Sequence, residues 1–501
     1  MNVGSHRYTY AAIALFVLSF AYWSAFATNA YYTFHEYSDL GTFSYNMYFD
    51  IHWPGIVHGL QLLVFGNHMA PDLLLILPIY ALFPSSLTLL YIQAFILSFT
   101  GIVLFLGAKS LFKSSGIGLL FMLAYSLNPG VFGMYIFDFH TESFLTIFYI
   151  LAFYSFIKGR KFLFIASTLM LLGVIEEATF LAMTLGLVLF AYGIWSWHRG
   201  EGAEKAYLAL FMIFLSVAVL LFYILAAKSL DAAYAAGSYP GLPPILYAYN
   251  FAGSQLAAAT TAPLSSVAAY AGAYKMPICI AYALAIAIFG FGIAAIYRPL
   301  ATLVLLLPWL VELFVVGNIN FAFVFNQYFG FVIGPAAVAS MLGMLRFYGK
   351  KHGTASPKML HAALVSVVAA SFLLFAFFPM FIYSKNVNNL SQDFTFRVSS
   401  QIRAYDAQLY SVMRLVPPNA SLMTSYFILP HVADRKDLEL LQNSSYFFLP
   451  DYVLVDFNPN ISLNAVSYGG QLQYFDSFFA EHGASYDVYA RNGTALLLKK
   501  V

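Results

Sequence analysis

The chain has 501 residues, of which 61% are hydrophobic and 19% aromatic, while only 9% carry a charge. Soluble proteins average about 25% charged residues, so this composition excludes a soluble enzyme, a nucleic-acid-binding protein and a disordered scaffold. The formal net charge of +2 gives no field that would attract a polyanionic partner. The single cysteine, Cys279, excludes an internal disulfide. The sequence therefore predicts a polytopic membrane protein.

Apolar stretches of about 20 residues, with shorter ones allowed in a crowded bundle, predict about eleven transmembrane helices. The first follows Arg7 and has no small-residue cleavage site at the expected distance, which favours an uncleaved anchor over a removed signal peptide. The predicted spans lie near residues 8–28, 86–108, 116–136, 143–157, 162–176, 178–197, 206–228, 276–297, 299–316, 328–346 and 360–383.

Basic residues predict the orientation of these spans, because Lys and Arg are retained on the cytoplasmic side of short loops. With the N-terminus inside, thirteen of the sixteen Lys and Arg in residues 1–385 fall in cytoplasmic segments. The three outer ones are Lys228, Lys275 and Lys385. We therefore expect a multi-pass protein of the cell (plasma) membrane, with a cytoplasmic N-terminus and an extracytoplasmic C-terminus.

Two long outer segments interrupt the predicted bundle, at residues 29–85 and 229–275. The first contains an apolar run, Leu73–Phe83, between Pro71 and Pro84. This run is too short to span comfortably, so it predicts an interfacial or re-entrant helix. The second segment is rich in Ala, Gly, Ser, Tyr and Pro, which is typical of a mobile flap over the membrane face.

The tail, residues 386–501, differs in composition from the membrane domain, residues 1–385. Charged residues make up 18 of its 116 positions, against 28 of the 385 before it. Apolar residues at helical spacing end at Pro417, and the runs Ser421–Leu429 and Tyr452–Asp456 predict buried strands. A hairpin is predicted around the Arg-Asn-Gly turn at 491–493. We expect an all-α polytopic bundle followed by a small extracytoplasmic α/β domain.

The same tail contains all five Asn-x-Ser/Thr sequons of the chain, which agrees with an outer location. Occupancy of any one would establish that location, although unglycosylated compartments also carry such triplets. The sequons begin at Asn389, Asn419, Asn443, Asn460 and Asn492.

Four groups of acidic residues, two with a nearby histidine, fall on the predicted outer face before residue 180. Burying a carboxylate near a membrane costs several kcal/mol unless it is paired, protonated or metal-bound. The presence of several such residues therefore indicates a functional role. Taken one at a time, Glu36 and Asp72 are also consistent with solvated acids in loops. His68 and His140 are also consistent with groups that form hydrogen bonds at helix ends. The groups are Glu36 with Asp39; His68 with Asp72; Asp138, His140 and Glu142; and Glu176 with Glu177.

The third group has two possible geometries. If a helix begins at Asp138, then Asp138 and Glu142 lie on one face, while His140 points elsewhere unless the helix start is unwound. Asp, Glu and His together suit Mg²⁺, Mn²⁺ or Zn²⁺. The spacing matches no recognised metal motif.

An acidic residue in a long first outer loop, a second acidic motif where the third span emerges and an outer soluble domain resemble the GT-C superfamily of membrane glycosyltransferases. The chain is more closely similar to an uncharacterised family of predicted archaeal and bacterial membrane proteins grouped with those enzymes. This similarity covers nearly the whole chain. It rests on Ser38–Phe43, His68–Pro71, Leu82–Ser85, Phe137–His140, Glu176–Glu177, Leu429–His431, Asp434–Arg435 and Asp451–Asp456.

The superfamily resemblance implies a GT-C-like fold and transfer of a hexosyl or pentosyl group from a polyprenyl-phosphate-linked donor to an acceptor at the outer face. Asp39, with Glu36 as the alternative, would act as general base. The departing phosphate must be stabilised by positive charge, but few Lys and Arg residues of the membrane domain lie on the predicted outer face. Some of Asp39, His68, Asp138, His140 and Glu142 would therefore hold a divalent metal, Mg²⁺ or Mn²⁺. The expected metal ligands are Asp138, His140 and Glu142, and the expected substrate contacts are His68, His140, Glu176, Glu177, Lys228 and Lys275.

Two other functions fit the same residues. A secondary transporter would use Asp138, Glu142, Glu176 and Glu177 as proton or cation sites, although the acids collect at one face rather than at the midplane. A non-catalytic sensor or scaffold of the same fold is the other alternative, because a fold does not fix its chemistry. In every case the expected partners are membrane lipids, and a lipid-linked sugar donor if the protein is a transferase.

Overall fold

The structure, a computed structural model, describes residues 3–34, 36, 38–52, 68–235, 276–291, 295, 298–316, 321, 324, 327–350, 365, 369, 404–441, 449–458 and 465–501. Within these residues the fold is a helical bundle followed by a small sheet domain. The bundle helices are α1 (Val3–Tyr32), α2 (Ser38–His52), α3 (Leu73–Leu82), α4 (Ser86–Phe112), α5 (Ser115–Ser126), α6 (Pro129–Ile136), α7 (Leu145–Ile157), α8 (Lys161–Leu172), α9 (Ala178–His198), α10 (Glu204–Ala235), α11 (Met276–Phe289), α12 (Pro299–Val311) and α13 (Gly330–Lys350).

Among the described residues, five helices are long and apolar enough to cross a membrane, or six if the bent pair α5 and α6 forms one span. The two helices of that pair meet at 53°. The five are His6–Tyr32, Ser86–Phe112, Ala178–His198, Glu204–Ala226 and Gln327–Arg346.

The predicted number of eleven spans is therefore not confirmed. The spans expected near 143–157, 162–176, 276–297 and 299–316 correspond to helices of 10 to 17 residues, too short to cross alone by this measure. The last predicted span, 360–383, lies outside the described residues except for two positions. The short apolar helix expected at Leu73–Phe83 is present as α3, Leu73–Leu82, with Pro78 inside it.

Local sequence explains where the helices of the bundle begin. Ser85 and Ser114 precede α4 and α5 as N-caps, and their hydroxyl oxygens accept from the backbone N–H groups of Leu87 and Ile117. Asn128 caps α6, which has Pro129 at its first position. Many large apolar side chains on the outer helix faces are exposed, as a lipid environment requires. Examples are Phe162, Phe214, Leu225 and Leu300.

The C-terminal domain is a five-stranded mixed sheet with helices α14 (Ala404–Met413) and α15 (Ala465–His482). The strand order is β2-β1-β3-β5-β4, with parallel pairing of β1 to β2 and β3 and antiparallel pairing of β5 to β3 and β4. The predicted strand at Tyr452–Asp456 and the last hairpin are confirmed. The strands are β1 (Leu422–Thr424), β2 (Leu438–Leu440), β3 (Tyr452–Asp456), β4 (Tyr486–Asn492) and β5 (Ala495–Lys500).

One predicted strand, Ser421–Leu429, is wrong over most of its length. Strand β1 ends at Thr424, and the chain then turns into a 3₁₀ turn, Leu429–His431. This turn packs against α2, so a contact with the bundle overrides the local strand preference. Gly41 of α2 allows that approach, because a Cβ atom there would lie 2.7 Å from Cγ of Leu429.

Hydrogen bonds fix the C-terminal domain to one end of the bundle. The Ser86 hydroxyl at the start of α4 donates to the carbonyl of Pro430 at 2.6 Å. The Tyr45 hydroxyl of α2 donates to the carbonyl of Lys436, also at 2.6 Å. Tyr45 also belongs to the hydrophobic core cluster on one side of the sheet. The sheet domain therefore covers the end of the bundle where α2 and α4 begin.

Candidate functional site

The start of α2 carries Asp39 at the end of the bundle that the C-terminal domain covers. Asp39 lies in the first turn of the helix, and its side chain is 30% exposed. Its Oδ2 atom lies 3.2 Å from Nε2 of His140. The backbone N–H of Leu40, which has no partner within the helix, donates to Oδ2 of Asp138 at 2.9 Å. The first turn of α2 is therefore held against residues 138–140.

Residues 137–140, which follow α6, form an extended segment rather than a helix start. Phe137 has ψ 156° and His140 has φ −142° and ψ 145°. Residues two apart in an extended chain point to the same side, and His140 Nδ1 lies 2.9 Å from Oδ1 of Asp138. The helical arrangement that would align Asp138 with Glu142 is not formed, because a 3₁₀ turn, Thr141–Phe144, follows.

A buried amide, Gln93 in the first third of α4, fixes this extended segment. Its Nε2 donates to the carbonyls of Met134 and Asp138 at 3.0 and 3.1 Å. Its Oε1 accepts from the backbone N–H of His140 and from the hydroxyl of Ser143, both at 2.9 Å. The sequence interpretation missed Gln93, although a lone amide in an apolar helix is the signal that could have found it.

His140 lies between two carboxylates and is itself buried. Burial alone lowers the pKa of an imidazole, but Asp138 and Asp39 outweigh it and hold the pKa of His140 well above its ordinary value. The pKa of Asp138 is raised by burial, although His140 opposes that effect. A carboxylate, an imidazolium and a second carboxylate are therefore aligned in one chain, with Asp39 at its more exposed end.

Glu36, the alternative to Asp39, is buried at 5% exposure. Burial, reinforced by the charge of Asp138, raises the pKa of Glu36 well above its ordinary value. Burial thus disfavours the charged form of Glu36. Of the two carboxyl groups, that of Asp39 is the more exposed.

A second cluster joins the segment before α3 to the segment before α9. His68 Nδ1 lies 3.1 Å from Oε1 of Glu176, and the backbone N–H of Met69 donates to Oε2 of Glu176 at 2.9 Å. Burial would lower the pKa of His68, but Glu176 raises it to about 9, while the pKa of Glu176 is lowered. Glu177 lies beside this ion pair, and its buried Oε2 atom has no hydrogen-bond partner among the described residues.

Glu142 connects the two clusters electrostatically. Its charge helps to raise the pKa of both His68 and His140, so it lies within range of each imidazole. Its side chain is buried at 1% exposure, and its Oε1 atom has no hydrogen-bond partner in the described part of the chain. The two clusters therefore belong to one acidic region.

The C-terminal domain contributes a tyrosine to this region. Burial, with help from Tyr474 and Asp39, raises the pKa of Tyr426 to about 12. Tyr426 follows β1 closely. Asp39 lies two residues before Gly41, which packs against Leu429, so Asp39 lies near the junction between the bundle and the C-terminal domain.

Two groups of three side chains each bring their possible ligand atoms within 4.8 Å of one another. They are Asp39, Asp138 and His140, and His68, Glu176 and Glu177. Geometry therefore brings Asp39, rather than the predicted Glu142, to Asp138 and His140. Lys228 belongs to α10, but its side chain lies outside what the structure describes, and so does the whole of Lys275.

Comparison with known proteins assigns the chain to a family. The family model described as "Predicted membrane protein (DUF2079)" matches residues 7–478, which include both clusters and most of the sheet domain. The comparison with curated proteins returned no match. A match over nearly the whole chain shows that this protein belongs to the DUF2079 family of predicted membrane proteins.

Proposed function

We propose that this protein is a GT-C-like membrane glycosyltransferase that moves a sugar from a polyprenyl-phosphate-linked donor to an acceptor at the outer face of the cell membrane. The observation that carries the proposal is the aligned chain Asp39–His140–Asp138. Its more exposed end, Asp39, lies near the junction between the bundle and the sheet domain. A positioned acid at such a junction suits general base catalysis on a substrate held between two domains.

Each member of the chain has a distinct role in this proposal. Asp39, the more exposed carboxylate, takes the proton from the acceptor hydroxyl or amide as that group attacks the anomeric carbon. His140 positions Asp39 through the 3.2 Å contact between Nε2 and Oδ2. Asp138, buried and hydrogen-bonded by Leu40, holds His140 in that orientation. Gln93 fixes the backbone on which Asp138 and His140 lie.

The same three side chains fit a divalent metal. Two carboxylates and one imidazole, with ligand atoms within 4.8 Å, form a donor set that suits Mn²⁺ and is compatible with Mg²⁺. When bound, the metal would supply the positive charge that a departing lipid phosphate needs. Its binding requires a neutral imidazole, so metal binding and protonation of His140 compete.

The short apolar helix α3 supports a lipid-linked donor. Leu75, Ile79 and Leu82 on α3 are exposed, at 58%, 46% and 75%. The helix lies next to α2, because the hydroxyl groups of Ser44 and Tyr80 are 2.7 Å apart. An apolar surface beside α2 suits a polyprenyl chain whose sugar reaches the acidic region.

The test compares lipid-linked sugars and surface glycans between a strain that lacks the gene and its parent. We expect a lipid-linked sugar to accumulate and a surface glycan to lose that sugar. Wild-type protein should restore the parental pattern and Asp39→Asn should not, while Glu204→Gln, an acid at the opposite end of the bundle, should restore it. An unchanged glycome in the deletion strain would overturn the proposal.

A further inference from the structure

A cavity of about 1070 Å³ opens at the other end of the bundle, away from both acidic clusters. It lies between the end of α4, the start of α5 and the segment that leads into α8. Three cationic side chains line it: Lys109, Lys113 and Arg160. Among the described residues, no Asp or Glu lines it.

Helix α4 gives the distance between this cavity and the acidic region. Gln93 touches Asp138 and His140, and Lys109 lines the cavity sixteen residues later on the same helix. At 1.5 Å per residue the two positions are about 24 Å apart along the helix axis. That separation is close to the thickness of the hydrocarbon layer, so the cavity lies at the opposite membrane surface.

The cations of the cavity are not neutralised by carboxylates in the described part of the chain. Lys109 lies over the ring of Phe105 and Arg160 over the ring of Tyr154, at 5.4 and 5.6 Å from the ring centroids. Aromatic contacts orient a cation without cancelling its charge. Nearby bases outside the cavity are paired instead, with ion pairs between Lys161 and Glu204 and between Lys205 and Glu201.

The backbone adds further positive potential. Helix α5 of 12 residues begins at the cavity wall, where Ser114, Ser115 and Gly116 line it. The free N–H groups and the dipole of a helix N-terminus favour a phosphate. Lys113 has a left-handed conformation with φ 53°, where glycine is the unstrained choice, and so keeps a cation at a costly position.

The walls of the cavity distinguish a lipid from a soluble anion. Val103, Leu106, Leu151 and Leu163 line it, and Leu106 is 51% exposed on the outer surface of the bundle. The cavity is also far larger than an inorganic phosphate ion. A cationic end joined to an apolar wall at the membrane surface matches an anionic amphiphile.

We propose that this cavity binds the phosphate head group of an anionic membrane lipid. Lys109, Lys113, Arg160 and the N-terminus of α5 contact the phosphate, and the apolar wall receives the upper part of an acyl chain. The site is separate from the acidic region and does not depend on the proposed transferase activity. The positive-inside prediction assigns it to the cytoplasmic leaflet, where anionic lipids attract basic residues.

The test measures binding of phosphatidylglycerol and of phosphatidylcholine to the purified full-length protein by native mass spectrometry. The wild type should prefer phosphatidylglycerol. The double variant Lys109→Gln with Arg160→Gln should bind it about 30-fold more weakly, since each basic residue near an anionic lipid contributes about a factor of five. The single variant Lys113→Gln, at an exposed position, should lose about fivefold.

The matched control is Lys161→Gln with Lys205→Gln, which removes the same charge from the same end of the bundle but outside the cavity. Equal losses in the control and cavity variants would overturn the proposal, and so would no preference between the two lipids. Inorganic phosphate alone is a further probe. If it binds the cavity while phosphatidylglycerol does not, the lipid assignment is overturned in favour of a soluble phosphate.

Discussion

The two ends of helix α4 differ in the sign of their charges and in how those charges are held. At the end near Gln93, Asp138 and His140 are buried, paired and tied to the backbone by hydrogen bonds. At the other end, Lys109 and its neighbours line an open cavity and have no carboxylate partner in the part of the chain that the structure describes. Paired buried charges determine local geometry, whereas unpaired charges at a cavity attract a ligand.

This difference predicts different consequences of substitution. Changes at the acidic end should alter chemistry or folding, because each group supports its neighbours. Changes at the basic end should alter binding alone, because aromatic rings and solvent remain when a cation is removed. The following experiments test this contrast, from the largest expected effect to the smallest.

Asp39→Asn should have the largest effect. The substitution keeps the shape of the side chain but removes its ability to accept a proton, so transfer should fall by about 10²- to 10⁴-fold. The measurement is sugar transfer from a lipid-linked donor in membranes that contain each variant. Glu204→Gln should retain full transfer, since Glu204 pairs with Lys161 at the basic end. Equal activity of Asp39→Asn and the wild type would remove Asp39 from the reaction.

Gln93→Leu should destabilise the fold by about 2–4 kcal/mol. Leucine leaves the backbone N–H of His140 and the carbonyl of Asp138 without their buried partner. Thermal unfolding of the protein in detergent measures the loss. The control is Thr100→Val on the same helix, whose hydroxyl donates to the carbonyl of Ile96 one turn earlier and also contacts the hydroxyl of Tyr125. A loss no larger than in this control would show that Gln93 does not fix the segment.

The ion pair of His68 and Glu176 should make stability depend on pH. The pKa of His68 is about 9 in the folded protein and about 6.5 in an unfolded chain. Its stabilisation is therefore complete below pH 6.5 and is lost as the pH rises through 9. The loss is at most about 3 kcal/mol. We expect the melting temperature to fall over this range in the wild type and to fall less in His68→Gln. Parallel curves for the two proteins would contradict the pairing.

The composition of the sequence and its apolar periodicity were sufficient to predict the membrane class, the helix at Leu73–Leu82 and the hairpin of the tail. These features depend on local sequence patterns, which can be recognised in a single sequence. The strand at Ser421–Leu429 was wrong because Leu429 packs on α2, a contact that no local pattern reveals. The number of eleven spans is not confirmed for a related reason, since the sequence of a short apolar run does not show whether the run crosses the membrane.

The candidate site was predictable in its residue types but not in its grouping. Scarce charges in an apolar chain drew attention to Asp39, Asp138 and His140. The pairing of Asp138 with His140 depends on an extended segment held by Gln93, which lies 45 residues before Asp138 in the sequence. A helix that began at Asp138 would instead place Asp138 beside Glu142, which was one of the two geometries that the sequence left open. Side chains that meet through tertiary contacts cannot be grouped from spacing alone.

Metal binding tests whether Asp39, rather than Glu142, groups with Asp138 and His140. It also tests the contrast between the two ends of α4, because the acidic end should bind a cation and the basic end an anion. The wild type should bind Mn²⁺, measured by the paramagnetic resonance signal of free Mn²⁺. Asp138→Asn should weaken binding by at least about tenfold, because it removes one of three clustered ligand groups.

The variant Glu142→Gln distinguishes the predicted ligand set from the observed cluster, because Glu142 is a predicted ligand that lies outside that cluster. Its affinity for Mn²⁺ should fall less than that of Asp138→Asn, since a nearby charge is lost but no ligand atom of the observed cluster. Affinity in the wild type should rise with pH, as His140 must lose its proton to bind a metal and its pKa is raised. Equal losses of Mn²⁺ affinity in Asp138→Asn and Glu142→Gln would favour the ligand set expected from the sequence. If the wild type binds no Mn²⁺, the positive charge between Asp39 and Asp138 is the imidazolium of His140.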